Sequence, residues 1–360
     1  MDVIERLQEI FNQAAEFAEG SARTTVLEEA IRIADESQEL GLQFQVRMIF
    51  VHEAFTSGDA DKMLVALSWC TNVADRNPHE FPELDLVEAH TLALAYVTSF
   101  ASISQEQINR LLDDFERRCK QCNVGMRVVY RYRCFSAMWM GHAQLADKYF
   151  EQMNKYPSDE FCPAGPWHDL FRSDYFIQRQ RLEDACATAQ YVLDASDDSD
   201  GAYLWLGSFM LLPLIRLGRF AEAEKHARRA YPMVRSNPKY IEVIGLNISA
   251  LAALNLENDA LPIMERHIGW AAAASSVRAR LEFYVGAMMI CIRLINAGNG
   301  EKRVRTPDAV KLRDDSPPTV QALHSWLQGE VQELVRRFNE RNGTEYFTEL
   351  VESRLAMVAG

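Results

Sequence analysis

The sequence predicts an all-α protein: an α-solenoid of about seven stacked helical hairpins, closed by a C-terminal capping helical segment. Three observations lead there. Glycine and proline together number 29 among 360 residues, too few for the many tight turns of a sandwich or barrel. Apolar residues return at steps of three and four almost everywhere, which is the spacing of one helix face. The pattern itself recurs every 38 to 41 residues. Self-similarity at such a period marks a helical-repeat array, in which a hairpin that cannot cover its own apolar face stacks on the next.

Taken along the chain, the first legible unit is SGDADKMLVALSWC, with Met63, Leu67 and Cys70 on one face, and a second centres on Ile108, Leu112 and Phe115. GHAQLADKYFEQM follows with Ala146, Phe150 and Met153, and RQRLEDACATAQYVL with Ala185, Ala189 and Val192. The clearest unit runs from Tyr203 to Val234. A helix rich in large apolar groups turns at Gly218 into a second helix whose Ala223, Ala227 and Ala230 face inward while Glu222, Glu224, Lys225, Arg228 and Arg229 face water. Glycine suits the turn because it adopts the left-handed conformation a helix C-terminus often needs. Pro213 sits inside the first of these helices and is expected to kink it. NDALPIMERHI continues the series, with Pro262 near the matching place.

The array is assigned to residues 1–298. Residues 299–318, low in large apolar groups and ending in paired prolines, are expected to form an exposed loop or linker. Its basic residues Lys302, Arg303, Arg305, Lys311 and Arg313 are diluted by Glu301, Asp308, Asp314 and Asp315, which is the composition of a solvated loop. Helical spacing resumes at Leu323, Leu327, Val331, Leu334 and Phe338, so residues 319–360 are expected to supply capping helices.

Gly218, Phe220, Ala223 and Ala230, and again Gly141, Ala146 and Phe150, stand where tetratricopeptide hairpins favour a turn glycine, an aromatic, and small residues. Through them the sequence resembles the tetratricopeptide repeat family over roughly residues 40 to 300. It departs from the family in its longer period and in its first helix, where Gly207, Met210, Leu211 and Leu214 replace the family's tryptophan, leucine-glycine and tyrosine.

The resemblance implies that the first helix of each hairpin lines a concave face. Carried over by distance from Ala146, Ala185, Ala223 and Pro262, the groove-facing places are Arg131, Phe135 and Trp139, then Trp167, Asp174 and Gln178. Trp205, Ser208 and Arg216 follow, then Asn247 and Asn255. Such a groove can hold an extended chain, its amides bonding the backbone and its arginines an acidic side chain or a C-terminal carboxylate. Trp139, Trp167 and Trp205 read equally well as packing between helices.

Composition narrows the function further. A formal net charge of −13 repels a polyanion, so nucleic acid is not the expected partner. Seven scattered cysteines suit a reducing compartment, and the cytoplasm is the expected location. The acidic N-terminal stretch is not an export signal, and no apolar run is long enough for a membrane span.

Cys119 and Cys122 form a C-x-x-C, but no second pair completes a zinc site, and neither the eight dispersed histidines nor any phosphate-binding or nucleophile motif points to chemistry. No cofactor, metal or catalytic residue is expected. The expected function is a protein- or peptide-binding scaffold. One alternative is a regulator similar to peptide-responsive bacterial sensors, acting through protein contacts, since no helix-turn-helix opens the chain. The other is an all-helical enzyme whose acids and histidines meet only on folding.

Overall fold

The computed structural model describes residues 2–17, 20–194, 201–307, 309–310, 312 and 318–359. Among them the chain is all-helical, with one isolated antiparallel bridge between Arg303 and Thr319 in place of any strand. No described helix is long and apolar enough to cross a membrane. The helices divide between two compact units, one made of residues 1–136 and 147–157, the other of 137–146 and 158–360.

The first unit holds α1 (Val3–Ala15), α2 (Ser21–Glu36), α3 (Leu40–Ser57), α4 (Ala60–Arg76), α5 (Glu83–Tyr96) and α6 (Gln105–Gln121), with most of α7 (Met126–Trp139) and α8 (Ala143–Asn154). Consecutive helices pack on one another from α1 through α6. Their starts are written locally: Asp2 with Glu5, and Ser104 with Gln107, form capping boxes that satisfy orphan N–H groups of α1 and α6. Phe44, Phe50, Met63, Leu67 and Leu86 share one apolar core.

The same unit holds a buried ion network. The Arg118 guanidinium, with no solvent exposure, donates to Asp114 at 3.0 Å, Glu83 at 2.7 Å and Asp75 at 2.8 Å. His90 places Nδ1 2.6 Å from the Leu86 carbonyl oxygen and Nε2 3.0 Å from Asp114. Burial opposes ionisation of Asp114, but the His90 hydrogen bond and the Arg118 charge outweigh it and hold its carboxyl well below the usual range. Arg118→Met is therefore expected to cost about 2 kcal/mol, less than a fully buried pair because the acids keep part of their hydration. The deficit, read by urea denaturation, should shrink as pH falls and the freed carboxylates are protonated. A variant as stable as the parent at pH 7 would exclude the network as a stabilising element.

The second unit contains the α7–α8 turn and then α9 (Pro166–Gln178), α10 (Leu182–Asp194), α11 (Ala202–Phe209), α12 (Leu211–Arg216), α13 (Phe220–Val234), α14 (Ile241–Ala253), α15 (Glu257–Ala273), α16 (Val277–Asn296), α17 (Val320–Asn342) and α18 (Tyr346–Leu355). The break between α11 and α12 falls at Met210, about one turn before Pro213. That is where a proline's missing N–H and ring interrupt the ladder.

One turn geometry recurs through this unit. Gly141, Gln180, Gly218 and Asn255, spaced 39, 38 and 37 residues, each take a left-handed φ, of 75°, 56°, 73° and 62°. After each, the next residue's N–H reaches back to the carbonyl five residues earlier: His142 to Ala137, Arg181 to Phe176, Arg219 to Leu214 and Leu256 to Leu251. This is the Schellman closure of a helix C-terminus. The helix that leaves each later turn packs on the one that entered it: α10 on α9, α13 on α12, α15 on α14. Ala223, Ala227 and Ala230 are all buried, as their spacing implied.

In the segment 299–318, Lys302, Arg303 and Arg305 are exposed, whereas Val304 and Val310 are buried. Val304 N–H donates to the Pro318 carbonyl at 2.7 Å and Val320 N–H to the Lys302 carbonyl at 2.9 Å. Asp308, Lys311, Arg313, Asp314 and Asp315 lie outside the described residues.

Candidate functional site

The site in the second unit is built on a close helix crossing. A Cβ on Gly245 of α14 would sit 2.6 Å from the Phe283 backbone nitrogen, and one on Gly286 of α16 would sit 2.6 Å from the Gly245 carbonyl oxygen. Only glycine at both places lets the two backbones meet. The crossing brings Glu242, one turn before Gly245, and Glu282, one turn before Gly286, into the same buried region.

Two arginines answer these acids. Arg278, one turn before Glu282 on α16, lies 3.4 Å from Glu242 and stacks on Trp139 with its guanidinium carbon 4.1 Å from the ring centroid. Arg354 of α18 pairs with Glu282. Burial pushes the Glu242 carboxyl up, against the pull of Arg278.

Helix α18 is held in place from several sides. Thr344 Oγ1 donates to the Met140 carbonyl at 2.9 Å, and Asn339 Oδ1 accepts the Phe347 N–H at 3.2 Å. Tyr346 packs edge-on against Trp139, with ring centroids 6.4 Å apart. Gly141, left-handed at its turn, leaves the room Tyr346 needs, since a Cβ there would fall 2.5 Å from the Tyr346 Cβ.

Between α18 and the ends of α7, α9 and α12 lies a cavity of about 460 Å³, within the range of small-ligand sites. Its lining includes the buried Trp139, Asp174, Glu282 and Arg354, the half-buried Gln178 and Tyr346, and the exposed Arg216 and Ser353. Asp174 is 8 % exposed. It accepts from Gln178 Nε2 at 3.3 Å and faces the Trp139 indole N–H, but no basic side chain among the described residues comes within ion-pair distance. Burial pushes its carboxyl up to about 7, although the Arg278 charge pulls the other way.

The exposed Arg216 donates to Ser353 Oγ and, at 3.4 Å, to Gln180 Oε1, and no carboxylate among the described residues pairs with it. Partial burial and then the neighbouring Arg354 charge pull its guanidinium down.

Asp174 ties stability to pH. A carboxyl whose folded value lies above its unfolded one binds a proton more tightly when folded, so its contribution is complete below about 4 and is lost as pH rises to about 7. Asp174→Asn is therefore expected to flatten the pH dependence of second-unit stability in that window, where the parent loses up to about 1.4 kcal/mol per pH unit. Parallel stability curves for parent and variant would show that Asp174 ionises normally.

Of the eleven residues drawn from the sequence, Trp139, Asp174, Gln178 and Arg216 line this one cavity. Arg131 and Phe135 belong to the first unit and are half-buried on α7. Ser208 is buried and donates to the Leu204 carbonyl at 2.7 Å, and Asn247 is buried with Nδ2 on the Ala227 carbonyl at 2.8 Å. Trp205 packs on Phe209 and Tyr240, Asn255 is a left-handed turn residue, and Trp167 is exposed at 43 %. Spacing did not point to Glu242, Arg278, Glu282, Tyr346 or Arg354. A local signal existed for Arg278 and Glu282, opposite charges one turn apart inside an apolar run.

Cys119 is buried, and burial followed by Glu83 pushes the Cys122 thiol up, away from the thiolate that metal binding or thiol exchange requires. Among the described residues no three His, Cys, Asp or Glu side chains gather as they would around a metal ion. No family model, curated protein or solved structure matches the sequence.

Proposed function

We propose that the protein is a binding module of the α-solenoid kind, tetratricopeptide-like in its hairpins, and that its second unit takes a peptide or protein segment in the cavity between α9, α12 and α18. One observation carries the reading: first helices of successive hairpins, at places fixed by their distance from Ala146, Ala185 and Ala223, deliver Trp139, Asp174, Gln178 and Arg216 to a single cavity. An aromatic wall, an amide and an arginine that no described carboxylate pairs with are the groups that bind an extended chain through its backbone and an anionic group. A reducing, cytoplasmic setting and the absence of a nucleic-acid partner belong to the same proposal, on the strength of the cysteine usage and the charge of −13.

The test is selection of binders from a library of peptides with free C-termini, using the full chain. Selected peptides should compete with one another and lose at least about tenfold in affinity on Arg216→Ala, while the variant melts with the parent because an exposed arginine contributes little to folding. Failure to select any peptide, or affinity indifferent to Arg216, would exclude the reading.

A second reading rests on Asp174, a carboxyl pushed up to about 7 beside Tyr346 in a cavity, which is the tuning of a general acid–base catalyst. It requires turnover of some substrate that is abolished in Asp174→Asn with binding retained.

A further inference from the structure

The cavity holds two side chains of opposite charge, neither of which has an ion-pair partner among the described residues, although the Arg278 charge acts on Asp174. Asp174, at the inner end, is met only by an amide and an indole. Arg216, at the outer end, is met only by a hydroxyl and an amide. Nearby, Arg278 pairs with Glu242 and Arg354 with Glu282, while Arg179, Glu345 and Glu349 also line the cavity. A buried carboxylate without a counter-ion is unfavourable unless a ligand supplies one.

The two ends are also separated. Arg216 bonds Gln180, in the turn that follows the end of α9 at Gln178, and Gln178 itself lies one helical turn, an axial rise of about 6 Å, beyond Asp174. An extended basic side chain places its cation at a distance of that order from its own carboxylate. The inner end is walled by Tyr346 and by Trp139, one face of which already carries the Arg278 guanidinium, and aromatic rings favour a cation beside them.

We propose that the cavity binds a basic amino-acid unit, its side-chain cation on Asp174 between Trp139 and Tyr346 and its α-carboxylate on Arg216. The proposal rests on the binding-module reading and names the ligand class for that same site. The unit comes either as a free amino acid or as the C-terminal residue of a peptide, and both present the same cation and carboxylate.

The experiment is calorimetric titration of the full chain at pH 7.5 with L-arginine, L-argininamide, which lacks the carboxylate, and L-citrulline, which lacks the cation. In parallel, a short peptide ending in arginine is compared with its C-terminal amide and with the same peptide ending in citrulline. L-Arginine or the free-acid peptide should bind at least about tenfold more tightly than its counterpart lacking either charge. The partner that binds identifies the source. Arg216→Gln should abolish the preference for carboxylate over amide while keeping that for the cation. Asp174→Asn, a near-isostere, should abolish the preference for the cation while keeping that for the carboxylate. Circular dichroism melts of both variants establish that they fold.

Equal binding of arginine, its amide and citrulline would overturn the proposal, as would failure of both L-arginine and the arginine-ended peptide to bind. If library-selected peptides nevertheless bind and depend on Arg216, the ligand assignment fails and the binding-module reading stands. If no ligand of any kind binds, both fail.

Discussion

Gly286→Val is expected to destabilise the second unit by about 3 kcal/mol or more, because every atom in its way is backbone or close to it. A Cβ at Gly286 meets the Gly245 carbonyl oxygen at 2.6 Å, Ser249 Oγ at 2.9 Å and the Ser249 nitrogen at 3.2 Å. A Cβ at Gly245 meets the Phe283 nitrogen, the Phe283 Cα and the Glu282 carbonyl carbon, all within 2.8 Å. No rotamer change relieves the backbone contacts, so α14 and α16 must part. Each glycine costs its helix about 1 kcal/mol against alanine, and the close crossing offsets that by packing two buried helix faces directly together.

Parting the helices also separates Glu242 on α14 from Arg278 on α16, so affinity for a ligand of the proposed site should fall together with stability. Gly286→Ala is the milder version, with the same direction. Gly329→Ala is the control. It lies in α17, where an added Cβ would have no heavy atom within 4 Å and φ is not left-handed, and it should stabilise the chain by about 0.5 to 1 kcal/mol. Thermal or urea denaturation reads all three. A Gly286→Ala protein as stable as the parent would mean that the two backbones do not meet at this crossing.

How far the sequence carried the fold is visible at the hairpin turns. Gly141 and Gly218 announce themselves, since glycine is the residue that accepts a left-handed φ without strain. Gln180 and Asn255 close the same turn in the same conformation without glycine, so the repeat is more regular in the backbone than in the residues. The side chains differ for a similar reason. Distance along a first helix relates Asp174, Gln178 and Arg216 to their own hairpins, because helical geometry is local.

The charged core was harder to read. Whether Arg278 meets Glu242, or Arg354 meets Glu282, is decided by helix crossings between residues 36 and 72 positions apart, and no local rule supplies those. The polar residues of first helices were ambiguous for a further reason. Ser208 bonds its own helix and Asn247 the α13 carbonyl of Ala227, and a serine or asparagine does this as readily as it faces a groove.

The largest electrostatic effect is expected from Arg354→Met. Glu282 is 2 % exposed and Arg354 9 %, so the methionine fills the guanidinium's space with apolar atoms but leaves a buried carboxylate near Glu242 with no cation of its own. Removing one partner of a buried pair typically costs about 3 to 5 kcal/mol, most of it the desolvation of the charge left behind. At pH 7.5 the variant should therefore show an early unfolding transition in the second unit. Its deficit should shrink as pH is lowered, because the unpaired carboxylate takes up a proton and ceases to be a buried charge.

Arg354→Met combined with Glu282→Gln separates charge from packing. The amide keeps the shape and removes the negative charge, so the double variant should recover most of the lost stability. Helix α18 supplies a second readout. Its N-terminal end stays tied by Asn339 to the Phe347 N–H and by Thr344 to the Met140 carbonyl, while its C-terminal turn loses the ion pair to α16. Hydrogen exchange should accelerate most in the amides nearest Arg354 and least around Phe347. Uniform acceleration along α18 would place its anchor at the ion pair alone. A loss below about 1 kcal/mol in the single variant would mean that the pair is solvated, as exposed pairs are, and that α18 is held by its packing on Trp139 and Gly141.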